Sequence, residues 1–84
     1  MSGGAVWVVI TEERHGDVDA DPFSTEEGAR AYAGAVAGRF ARDLDVAEVA
    51  LTPPMITDGW VLLLEWGTEG DGVRVVRREM DATP

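Results

Sequence analysis

Apolar and polar residues along the chain fall into segments with different periods. "AVWVVIT", Ala5 to Thr11, is β-branched and apolar on both faces, which predicts a central or well-covered strand. In "GDVDAD" the period is two. Asp17, Asp19 and Asp21 lie on one side of an extended chain, and Val18 and Ala20 lie on the other. This segment is placed to pair back on the first strand across a turn near His15-Gly16. The period then lengthens. Ala29, Tyr32, Ala33, Val36, Phe40 and Leu44 recur at helical spacing, predicting a helix from about Thr25 to Asp43 with these residues as its core face. Ser24 is the expected N-cap, and Glu27 three residues later completes a capping box. Glu26 and Glu27 suit the positive end of the helix dipole, and Arg39 and Arg42 suit the other end.

Beyond the helix, Val46 to Leu51 reads as a short strand or a loop, ended by Pro53-Pro54. "GWVLLLEW" is a strand, with Trp60, Leu62, Leu64 and Trp66 expected on one face and Val61, Leu63 and Glu65 on the other. "GTEGDG" is a glycine-rich turn and "VRVVRREM" the returning strand, so residues 59–80 form a β-hairpin. Antiparallel pairing of this last strand with the first would set its beginning opposite the end of "AVWVVITEERH". The expected architecture is α+β: a small antiparallel sheet of three to five strands with one long helix packed on one face, in a single domain.

Composition narrows the functional classes. A chain of 84 residues buries only about 60–65% of its unfolded surface, so the core is modest. At 45% hydrophobic and 27% charged residues it is globular rather than disordered. No apolar run approaches the length of a membrane span, and no signal peptide is read at the N-terminus, so a cytoplasmic protein is expected. The absence of cysteine excludes disulfides, thiolate metal sites and a cysteine nucleophile. A net charge of -9 opposes direct binding to nucleic acid and to anionic membranes, and suits a protein partner, basic in character. The complete absence of Lys, Asn and Gln reflects a GC-rich genome rather than a function.

Candidate chemistry is sparse. A calcium loop starting at Asp17 would need Gly at its sixth position and Glu at its twelfth, where the chain has Pro22 and Gly28. No metal site and no cofactor are expected. Ser2 and Ser24 are the only serines and His15 the only histidine, and neither serine sits on a strained turn suited to a nucleophile, so no catalytic residue is assigned and the protein is expected not to be an enzyme. "GTEGDG" lacks the lysine of a phosphate loop, and Glu69 and Asp71 would repel phosphate. Trp60 and Trp66 are read as core rather than as a ligand platform.

Three surfaces remain. The strand ends would gather Arg14, His15, Glu69 and Asp71 into a polar notch, where carboxylates would favour the charged imidazole. Asp17, Asp19, Asp21, Glu26 and Glu27 could begin an acidic row facing a partner. Ala31, Gly34, Ala35 and Gly38 form a smooth stripe on the back of the helix, where a second copy could pack to give a homodimer.

Short motifs add a resemblance. Glu13-Arg14-His15 after the first strand, Pro22-Phe23-Ser24 before the helix, Gly59-Trp60 at a strand start and Glu69-Gly70-Asp71 followed by Val73 and Val75 resemble those of a group of small proteins of actinobacteria and their phages. The resemblance covers both ends of the chain and leaves residues 43–58 uncovered; it implies a fold and a taxonomic range but no established activity. Together these features predict a small acidic non-enzymatic protein that binds another macromolecule, phage or mobile-element encoded. The alternative is an acidic mimic of nucleic acid that inhibits a nuclease or DNA-binding protein.

Overall fold

The structure, a computed structural model, describes residues 4–13, 18–67 and 70–79. Its elements in chain order are β1 (Ala5–Glu12), β2 (Val18–Phe23), α1 (Glu26–Ala41), β3 (Val46–Glu48), α2 (Pro53–Thr57), β4 (Trp60–Trp66) and β5 (Asp71–Glu79). The five strands form one antiparallel sheet in the order β2-β1-β5-β4-β3, with α1 packed on one face. This is the α+β architecture that the periodicities predict. β5 is central, because both β1 and β4 pair with it, and β1 is one strand in from the edge. Gly72 faces Glu12 and Val73 faces Thr11, so the start of β5 does lie opposite the end of β1. Residues 46–48 form an edge strand, paired with β4. Pro53 and Pro54 open the short helix α2 rather than ending a strand, as the fixed φ of proline allows in a first helical turn.

The start of α1 differs from expectation. Pro22 and Phe23 complete β2, and the N-cap is Thr25, whose hydroxyl accepts a hydrogen bond from the Gly28 amide at 3.1 Å. Either Ser24 or Thr25 is a competent cap. The strand carries extended geometry through Phe23, so the helix begins one residue later than a Ser24 cap would start it. The third helical position is then Gly28, and Glu27 has no capping-box role. At the other end the helix stops at Ala41, two residues short of Asp43, because Arg42 takes φ 54° and ψ -109°. That conformation turns the chain toward β3.

The core lies between α1 and the sheet. Val9, Leu62, Trp66, Val73 and Val75 meet Ala29, Ala33, Val36, Ala37 and Ala41 of the helix. Four of these five helical positions are alanine, which lets the helix axis approach the sheet closely. The predicted core face therefore needs correcting. Tyr32 is only half-buried, Phe40 and Leu44 are exposed, and Ala37 and Ala41 take their places in the core.

Trp60 also departs from expectation. It pairs with Val76, while Leu62 pairs with Val75, so Val61 is an extra residue on β4. This bulge shifts the alternation by one. Trp60 consequently lies on the helix-free face with Val76 and Val8, whereas Leu62, Leu64 and Trp66 face the helix. Gly59 sits at the entry to the bulge with φ +93°; a Cβ there would stand 2.5 Å from the Arg77 carbonyl oxygen. The Gly59 carbonyl accepts a hydrogen bond from the Arg77 amide at 2.7 Å, which fixes this close approach.

Candidate functional site

The two edges of the sheet are built differently. At the β2 edge, Asp19 and Asp21 stand opposite Thr11 and Val9, so they point to the helix side. Val18, Ala20 and Pro22 point to the other face. Asp21 accepts a hydrogen bond from the Tyr32 hydroxyl at 3.3 Å, and the Tyr32 ring packs against Phe23 with centroids 5.1 Å apart. Glu26 is engaged by Arg30 at 2.7 Å, and Arg30 also donates to the Val61 carbonyl at 3.0 Å. The acidic row is therefore partly committed to contacts within the chain. Asp19 and Glu27 remain exposed, and Asp17 lies outside the described residues.

At the β3 edge the helix side carries one apolar residue and one acid. Val46, Ala47 and Glu48 are all exposed. Val46 stands opposite Trp66 and Glu48 opposite Leu64, on the helix side, and Ala47 stands opposite Glu65 on the other. The Val49 amide continues the ladder with a 2.9 Å bond to the Leu63 carbonyl. Above this edge runs the end of α1. Phe40 lies at the angle of the core stripe, between the buried Val36 and Ala37 and the buried Ala41, yet it is 41% exposed. Leu44 is 52% exposed and Val46 is 40% exposed. The last turn of α1 buries Ala41 in the core that includes Trp66, while the edge strand β3 is only three residues long. Leu44 leans on the end of β4, where its Cδ1 stands 3.3 Å from the position a Cβ on Gly67 would take. Arg39 stacks over Phe40 at 5.8 Å, and Asp43, Asp45 and Glu48 surround the corner with negative charge.

The helix-free face is more self-contained. Arg74 lies 5.0 Å over the Trp60 ring and pairs with Glu12, and Arg78 binds the Asp58 carbonyl. A pocket of about 140 Å³ opens between Met55, Trp60, Glu65, Gly72 and Arg74. A Cβ on Gly72 would come within 2.9 Å of the Leu64 carbonyl oxygen, so this glycine keeps the β4–β5 crossing tight. Of the predicted polar notch, Asp71 pairs with Trp66 in the ladder, and Arg14, His15 and Glu69 lie outside the described residues.

Ala31, Gly34, Ala35 and Gly38 are exposed, as the helical pattern predicts for its back face, and open space surrounds Gly34 and Gly38. Sequence reasoning missed the corner because Phe40 and Leu44 fit the helical stripe. The signal that could have found it is the clustering of Phe40, Leu44 and Val46 around a helix end followed at once by a very short strand. No helix among the described residues is long and apolar enough to cross a membrane. No protein family, curated protein or solved structure matches this chain.

Proposed function

We propose that this is a small non-enzymatic interaction protein that binds another protein through the apolar corner formed by Phe40, Leu44 and Val46. The observation that carries this reading is their joint exposure at one end of α1, beside an edge strand. A modest core leaves little reason to strand three large apolar side chains together in water. Burying them against a partner would recover roughly 25 cal/mol for each Å² covered. The corner offers contact area and a rim of charge rather than a nucleophile, which supports binding over catalysis. The surrounding acids favour a partner with basic groups and disfavour a phosphate backbone.

The test is capture from extract of the native host with the wild-type protein and three folded variants, checked by circular dichroism. Phe40→Glu should lose the bound protein. Ile56→Ser, which removes a still more exposed apolar side chain from α2, should retain it. Retention by Phe40→Glu, with loss from the Asp19→Asn and Glu27→Gln double variant, would replace this reading with acidic mimicry of nucleic acid.

A further inference from the structure

We propose that the β3 edge takes up an extended segment of the partner by strand addition, with apolar side chains toward α1 and basic ones toward the opposite side. This rests on the corner's being the docking site and specifies how it would be used. β3 ends the sheet, and among the described residues no strand pairs with its outer side. The outward N–H and C=O groups of such a strand are a template for another chain. Proteins usually block that template with proline, inward charge or cover. The β2 edge has such devices in Pro22, which lacks an N–H, and in Asp19 and Asp21 on its helix side. Val46–Glu48 contains no proline, its one charge on the helix side is Glu48, and the first proline beyond it is Pro53, which opens α2.

The register fixes which side chains the added segment would need. Side chains alternate along a strand, and a neighbouring strand repeats the alternation of the strand it joins. A residue laid beside Val46 would point to the helix side, toward the exposed Phe40 and Leu44, and apolar groups fit there. A residue beside Ala47 would point to the other side, which carries the exposed carboxylate of Glu65 across the ladder. A residue beside Glu48 returns to the helix side next to an acid. Asp43 and Asp45 add negative charge where the chain enters the strand. The occupant is a segment in which apolar residues alternate with arginine or lysine, its apolar side chain matched to Val46 and its basic ones to the side of Ala47 and Glu65, with the position beside Glu48 the one mismatch; it is held by main-chain hydrogen bonds and oriented by charge. An added helix would satisfy none of the edge groups, since its own backbone is already paired.

The probe is the capped peptide acetyl-Arg-Val-Arg-Val-Arg-Val-amide, titrated into the full chain and followed through amide resonances. Shifts should concentrate at Val46 to Glu48 and at Phe40 and Leu44. A peptide of the same composition in block order, three valines then three arginines, should bind more weakly. Two N-methylated peptides, methylated at alternate residues in the two possible phases, separate main-chain pairing from charge and apolar contact while leaving the protein untouched. One phase removes the edge-facing donors and should weaken binding about tenfold or more, as expected for the loss of two or three hydrogen bonds; the other should bind nearly as well. Equal binding of the unmethylated alternating peptide and both N-methylated ones, shifts centred on Val8 and Trp60, or no shifts at millimolar peptide would each overturn strand addition. The docking reading fails separately, by retention of the captured protein on Phe40→Glu, so the two failures are distinguishable.

Discussion

The β2 and β3 edges of this sheet solve one problem in opposite ways. Both expose the rim of an antiparallel sheet to water, and both are flanked by α1. At β2 the rim is closed from within: Phe23 packs on Tyr32, the Tyr32 hydroxyl reaches Asp21, and Pro22 removes a main-chain donor. At β3 the protection is shortness and one acid on the helix side, Glu48, and Phe40, Leu44 and Val46 are apolar and exposed. The difference teaches how a small core distributes its losses. One helix covers the middle of a five-stranded sheet. Half-buried aromatics seal the β2 side, where the chain passes from strand to helix through a tight turn. On the β3 side the helix ends at Arg42, the edge strand is three residues long, and Phe40 stays exposed while Ala41 is buried.

Four substitutions break or sharpen this contrast. The largest effect is expected from Trp66→Ala. Trp66 is 3% exposed and supports both the end of α1 and the β3 pairing through Val46. Its loss should cost about 3–5 kcal/mol in urea denaturation, and amide exchange should quicken first at β3. A uniform change across the sheet would show that β3 is not a separate unit. Phe23→Ala should cost less, about 1–3 kcal/mol, because the ring is half-buried, and the loosening should appear at β2 rather than at β3. If Phe23→Ala loosens both rims equally, the sheet responds as one body and the contrast is lost.

Arg42→Gly should raise stability by about 1 kcal/mol, since φ 54° is costly for a residue with a Cβ and free for glycine. A decrease in the denaturation midpoint would mean that the arginine side chain stabilises this turn by more than its backbone costs. Phe40→Ser should have the smallest effect on folding, under about 1 kcal/mol, because so much of the ring already meets water. A loss near that of Trp66→Ala would place Phe40 in the core and remove the contrast between the two rims.

The elements themselves were legible from residue periods. The apolar run Ala5 to Thr11, the alternation in Val18 to Asp21, the helical stripe from Ala29 and the β4–β5 hairpin each form from local spacing and turn chemistry. The antiparallel placement of β5 against β1 was open from the sequence, which showed only that such a pairing would set the start of β5 opposite the end of β1, as it does. The exposure of the Ala31 to Gly38 stripe was also legible, since it lies opposite the apolar positions. Other features were not. Ser24 and Thr25 are chemically alike as caps, and only the extent of β2 selects Thr25. The bulge at Val61 leaves no mark in "GWVLLLEW", where every position near it is apolar, so the side on which Trp60 emerges could not be read.

What the sequence determined by itself was the type and order of β1, β2, α1, β4 and β5, the acidic character of the surface and the β4–β5 hairpin, all set by composition and interactions close along the chain. What only the tertiary structure decided was which apolar residues find cover. Phe40 and Val36 are equivalent in the helical pattern, yet Val36 is buried and Phe40 is 41% exposed. The pattern specifies the angle at which a side chain leaves the helix. Burial also needs a surface at that angle: Val36 and Ala41 meet one in the core, and Phe40 does not.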